Sequence, residues 1–409
     1  MSVADPTTTA APAGISAVRG QSTPRDTIRD PRLDFFRGLA MFIILIAHVP
    51  GNWLTLWIPA RFGFSDATEI FVFCSGMASA IAFGKVFRDR GWHMGAARVA
   101  FRCWQVYWAH ICLFLAVAAT MAALNATGAF ERDYVGQLNL YPFFNNAQSN
   151  LIGLITLTYV PNYFDILPMY LVILVMLPFF VALVRVHRVV AFAAVIAVWA
   201  LAQADLLALP AEPWSDREWF FNPFGWQLIF FTGFAFMSGW LPAPPVDRRL
   251  VMVAAVIVLV IVPLAYFRIY REVEVLADWR SDYQFFIAKT DFGILRYVHF
   301  LALAYLAWVA VGPRGQRLAP PEGDAAIGRV WRAGLLVILK VGQQSLAVFI
   351  TSMYLARLMG MVLDVVGRSY LSMAWVNLAG MAILVAVAYG TGWFKSNPRR
   401  ARSPNARQG

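Results

Sequence analysis

The sequence predicts an all-α polytopic integral membrane protein with about ten transmembrane helices, and three observations predict it. Of its 409 residues 60% are hydrophobic and only 14% are charged, against about 25% charged in ordinary globular chains. Apolar runs long enough to cross about 30 Å of hydrocarbon at about 1.5 Å per residue recur along the chain. Basic residues concentrate on alternate sides of those runs. Disorder, collagen, nucleic-acid domains and most soluble enzymes are excluded by this balance.

Residues 1–32 are rich in Ala, Thr, Pro, Ser and Arg and hold no apolar core of signal-peptide length. A flexible cytoplasmic tail is therefore expected there, not a cleaved signal. Spans follow at roughly 33–52, 66–84, 99–124, 165–184, 188–209, 224–241, 249–267, 291–312, 335–360 and 371–394, as one membrane domain over 33–394. A basic cytoplasmic tail closes the chain at 395–409. The stretch at about 150–161 is too short to cross and too apolar for a free loop, so it reads as re-entrant or interfacial.

With the N-terminus inside, 22 of the 34 Lys and Arg residues fall in cytoplasmic segments. The outer loops receive Arg61, Arg132, Arg217, Arg268, Arg271, Arg280 and Lys289. This is the positive-inside asymmetry, with both termini cytoplasmic. The net charge of +11 is then a topology signal and calls for no nucleic acid. Cys74, Cys103 and Cys112 form no CxxC pair, and no histidines stand at metal-ligand spacing, so neither a disulfide framework nor a metal site is expected. His93, His110 and His187 carry no pairing argument and read as structural.

Charged groups at membrane depth are costly and face a protein interior or a watery cavity, so each marks a candidate site. Arg37 and His48 lie eleven residues apart in the first span, within about 20° of three whole turns, which puts both on one helix face about 16 Å apart. Arg37 then sits near the inner surface and His48 toward the outer one. Asp66 and Glu69 stand one turn apart where the second span begins. Asp66 suits a helix cap, whereas Glu69, one turn into an apolar stretch, requires a partner: either a structural ion pair or His48, whose basicity a carboxylate can raise. Asp165 and Tyr170, Gln227, and the pair Arg296 and His299 are further polar groups in the outer half, able to share one cavity and support an acceptor. Lys340 opens the ninth span near the level of Arg37, and the two cations suit a phosphate.

A cationic inner mouth, an outer histidine with carboxylate support and a polar path between them suit acyl transfer from cytoplasmic acyl-CoA to an external hydroxyl. His48 and Glu69 are the catalytic candidates, and Arg37 and Lys340 hold the donor. A proton- or anion-coupled transporter competes, because the same residue types build proton relays.

Several blocks of this sequence, in order, resemble the OpgC family of membrane succinyltransferases and, more distantly, the acyltransferase-3 superfamily. They are Arg32-Leu-Asp-Phe-Phe-Arg-Gly-Leu-Ala with His48-Val-Pro-Gly-Asn, Phe62-Gly-Phe-Ser-Asp-Ala-Thr-Glu-Ile-Phe-Val-Phe-Cys-Ser-Gly, Asp165-Ile-Leu-Pro-Met-Tyr, Asn222-Pro-Phe-Gly-Trp-Gln, Arg296-Tyr-Val-His-Phe-Leu-Ala-Leu-Ala-Tyr and Gly342-Gln-Gln-Ser-Leu-Ala-Val-Phe. The resemblance implies about ten membrane helices in a bacterial inner membrane. It also implies acyl-CoA, with succinyl-CoA as the first choice, as co-substrate and no permanently bound cofactor. The implied acceptor is a periplasmic or surface glucan.

Overall fold

The computed structural model describes residues 30–319 and 326–396. The expected tails over 1–32 and 395–409 fall almost wholly outside the described residues. Eleven helices carry the architecture: α1 (Pro31–His48), α2 (Ala67–Asp89, with a π turn at Ala80–Gly84), α3 (Gly91–Ala126), α4 (Ile166–Val186), α5 (Arg188–Gln203), α6 (Pro223–Met237), α7 (Arg248–Ala265), α8 (Ile294–Val311), α9 (Ala326–Gln343), α10 (Ser345–Val366) and α11 (Tyr370–Lys395). Among the described residues no strand forms beyond one isolated bridge, Pro210 to Glu218.

By length and apolarity alone, seven of these helices qualify to cross a membrane: α2, α3, α4, α7, α8, α10 and α11. The other expected spans fall on α1, which carries Arg32, Asp34 and Arg37, and on α5 and α6, which are 16 and 15 residues long. A 15-residue helix reaches only about 23 Å, but α6 is sheathed in protein, with Trp226, Ile229, Phe230 and Phe234 fully buried.

Local signals explain where the helices that shape the site begin and end. The Asp30 side chain accepts the Arg32 amide and Pro31 fills the first turn, which starts α1. The turn at Val49-Pro50-Gly51 stops it at His48. A complete capping box opens α2: Asp66 accepts the Thr68 amide and Glu69 accepts the Asp66 amide. Deeper along α2, a Cβ on Gly76 would collide with the Phe230 carbonyl oxygen of α6. The missing side chain lets the two backbones touch, the kind of close approach that holds membrane helices together.

The expected ninth span, 335–360, is corrected. The helix breaks at Gln344 (φ −108°, ψ 30°), so residues up to Gln343 belong to α9 and the span is α10. Both neighbours of α9 meet at the Arg37 end of the bundle. The Arg32 guanidinium donates to the Gly312 carbonyl just past α8, and Ser345 at the start of α10 accepts from Arg37. Leu335 packs with Phe35, Val311 and Leu318, and a Cβ on Gly342 would strike the Asp34 carbonyl. Helix α9 is therefore a separate helix that packs chiefly against the first half of α1 and also against α11. It presents Ile327, Val330, Trp331 and Leu336 beside Arg332 on its exposed surface, the composition of a helix lying in a membrane interface.

Between α3 and α4 the expected re-entrant stretch is the short helix Ala147–Thr156 and the irregular chain after it. Tyr107, midway along α3, donates to the Ile155 carbonyl (2.8 Å). Phe114 packs edge-on against Phe143, Tyr159 and Phe164. Leu151, Ile152 and Ile155 stay exposed.

Candidate active site

Two cavities open at opposite ends of one set of four helices, α1, α2, α4 and α10. The first, about 380 Å³, is lined by His48 with Asp66, Thr68, Asn162, Tyr163, Asp165 and Lys289 among apolar groups that include Ile43, Ile44, Phe349 and Met353. His48 ends α1. Its Nδ1 lies 2.8 Å from the Ile44 carbonyl oxygen, an atom that only accepts, so Nδ1 carries hydrogen and Nε2 keeps its lone pair. The edge of Tyr163 meets the imidazole with ring centroids 5.6 Å apart. Tyr163 is itself pinned, donating to the Met353 carbonyl, and the Arg357 guanidinium lies 4.0 Å from its ring centroid. Its φ of 90° places it in a region few side chains adopt.

Asp66 serves two tasks. It caps α2, and its Oδ2 takes the Lys289 ammonium at 2.5 Å on the cavity wall. Asp165, just before α4, accepts the Phe220 amide at 3.2 Å and also lines this cavity.

Glu69 does not support His48. It is fully buried, Oε1 receives Nε and Nη2 of Arg296 at 2.9 and 2.5 Å, and Oε2 receives the Asp66 amide at 2.7 Å. Both oxygens are committed, so the carboxylate expected to orient the imidazole instead locks α2 to α8. Arg296 is thereby consumed and forms no anion site. His299, one turn on, faces the 62–66 segment: its Nδ1 receives the Ser65 amide at 3.2 Å and meets the Ser65 hydroxyl at 2.7 Å. Gln227 donates from Nε2 to the Val195 and Phe224 carbonyls, tying α6 to α5, and does not line the cavity. Arg296, His299 and Gln227 thus hold helices together around the cavity instead of entering it.

The second cavity, about 250 Å³, is lined by Arg37, Arg98, Arg102, Gln105, Ser75, Ser79, Tyr170 and Ser345 among apolar side chains that include Phe71, Leu167 and Leu346. Arg37 donates through Nη2 to Ser345, while its Nε is buried without a hydrogen-bond partner. Arg102 donates to Gln105 at 3.1 Å. Tyr170 belongs here and not with Asp165, since five residues along α4 carry it into the other cavity. Lys340 is absent from the lining: its ammonium sits 5.6 Å from the Tyr389 ring centroid on α11. The cation partners of Arg37 are Arg98 and Arg102, four residues apart on one face of α3.

Nothing in the sequence alone marks Arg98, Arg102, Lys289 or Tyr163 as a site residue. The i, i+4 spacing of the two arginines is visible in the sequence, but their charge there is equally a topology signal. No comparable signal marks Lys289, a single lysine in an outer loop.

Such a fold defines a helical membrane protein with a polar cavity at each end of one set of four helices, a histidine in one and an arginine cluster in the other. The chain belongs to the OpgC family: the family described as OpgC protein matches residues 29–396. Membership supports a glucan-modifying role of the acyltransferase type in general terms. No curated protein and no solved structure matches the chain.

Proposed function

We propose that the protein is a membrane O-acyltransferase that moves an acyl group, succinyl first among the candidates, from cytoplasmic acyl-CoA to a hydroxyl of a periplasmic or surface glucan. The observation that carries this reading is the pairing of the two cavities on the same helices, arginines lining one and His48 with an accepting Nε2 lining the other. Arg37, Arg98 and Arg102 would hold the phosphates of the donor. At the opposite end Nε2 of His48 would take the proton of the acceptor hydroxyl as its oxygen attacks the thioester carbonyl. The carbon–sulfur bond then breaks, the thiolate leaves as CoA and receives that proton from the imidazolium, and an ester remains on the glucan. Asp165, Asn162 and the Asp66–Lys289 pair supply the polar wall against which sugar hydroxyls would lie. The reading places the Arg37 end and both termini in the cytoplasm of a bacterial cell, with the protein in the inner membrane.

The test is a proteoliposome assay with succinyl-CoA on the Arg37 side and isolated glucan on the other. Release of free CoA thiol that depends on the glucan, together with a glucan ester, is the expected result. A solute or proton flux through the same vesicles without thiol release would replace the acyltransferase reading with a transporter.

A further inference from the structure

The two cavities come within one layer of side chains of each other. On α4 the change from one to the other falls between consecutive residues, Ile166 facing the His48 cavity and Leu167 the Arg37 cavity. On α2 it falls between Thr68 and Phe71, and on α10 between Leu346 and Phe349, three residues or about 4.5 Å of rise in each case. Within that layer, beside Ile166 and Leu167 of α4, an aromatic pair meets. Phe71 lines the Arg37 cavity, Phe349 lines the His48 cavity, and their rings lie nearly parallel at 19° with centroids 5.4 Å apart. Both are buried.

We propose that Phe71 and Phe349 form the passage through which the acyl-bearing thioester arm threads from the Arg37 cavity to His48, the two rings parting to admit it. This rests on the acyltransferase reading above. A donor held by its phosphates at one end must present its carbonyl at the other, and these two rings, one lining each cavity, touch across the layer between them. The contact is apolar and carries no hydrogen bond, so the rings can slide apart without stranding a polar group in the membrane interior. Closed, the partition separates the two cavities, and open, it admits a thin unbranched chain. Phe71 and Phe349 are thus positioning residues, and their bulk bears on which acyl groups reach the histidine.

The experiment has two readouts. In a background without Cys74, Cys103 and Cys112, Met353→Cys places a thiol in the His48 cavity, and a membrane-impermeant thiosulfonate is added to sealed membranes from the Arg37 side alone. The thiol is expected to remain unlabelled in the parent and to label to completion in Phe71→Ala or Phe349→Ala, with Phe71→Leu as the version that preserves packing. Equal labelling with and without the rings overturns the partition. Second, Phe349→Trp, which narrows the layer, is expected to lower kcat for thioester turnover by about a hundredfold, the scale of misplaced reacting groups, with KM for succinyl-CoA unchanged. An unchanged kcat overturns the passage. Labelling needs no catalysis, so a parent that stays unlabelled beside ring variants that label, yet turns over no thioester, defeats the acyl-transfer reading and with it the passage, leaving only the partition.

Discussion

The imidazole of His48 is oriented by the carbonyl of Ile44, four residues earlier on the same helix, at 2.8 Å from Nδ1. Because Ile44 is the last but one turn of α1 and is itself buried, the orientation comes from helix geometry and does not depend on a second ionisable group. As the proposed base, His48 is oriented by its own helix, while Asp66 and Asp165 line the same cavity.

Loss of that base is expected to remove turnover and nothing else. His48→Ala and His48→Gln should lower thioester turnover by about 10²–10⁴-fold, the usual contribution of a positioned general base, at normal membrane levels. Release of CoA thiol from purified protein measures it. Near-parental turnover in either variant would take His48 out of the mechanism.

Glu69 is expected to be a stability residue. Its carboxylate is fully buried against Arg296, and removing one member of a buried pair leaves an uncompensated charge, costing about 3–5 kcal/mol. Arg296→Leu should therefore lower the melting temperature sharply in detergent, and Glu69→Leu with Arg296→Leu should recover part of the loss. A Glu69→Gln protein that melts like the parent yet fails to turn over would restore the catalytic role.

Replacing Arg37, Arg98 or Arg102 by Ala should raise the KM for succinyl-CoA and leave kcat nearly untouched, because ground-state phosphate binding is uniform through the reaction. Lys340→Ala should leave KM unchanged, since its ammonium faces Tyr389. Steady-state kinetics with varied donor separate these. The reverse pattern would reassign the donor site.

Close packing at Gly76 predicts that Gly76→Ala forces α2 and α6 apart, since the added Cβ meets backbone and not a side-chain end that can swing away. Overpacking of this kind costs about 1–3 kcal/mol. Thermal melting of the variant checks it, and an unchanged melting temperature would mean that the helices are farther apart than described.

Much of the fold was legible in the chain because bilayer thickness and backbone hydrogen bonding leave few ways to cross a membrane. The capping signals at Asp66 and the Pro50-Gly51 stop after His48 were equally direct. Helix α9 escaped because residues 335–360 are apolar on balance, and the polar Lys340 and Gly342-Gln343-Gln344-Ser345 at the break read equally well as the polar opening of a span. The eleven-residue spacing of Arg37 and His48 was readable because it is a property of one helix, and the two residues line different cavities. The partners were not readable. Glu69 needed a counter-ion, but its choice lay between His48, 21 residues back, and Arg296, 227 residues ahead, and only the packing of α2 against α8 decides. Phe71 and Phe349 carry no charge to mark them and meet through the tertiary fold alone.

The most direct test of the account is mass spectrometry of periplasmic and surface glycans from three cell lines: one lacking the protein, one given it back and one given His48→Ala. The account predicts an acyl mass on a glucan that is lost with the protein, returns with the parent and does not return with His48→Ala. Glycans identical in all three would contradict it.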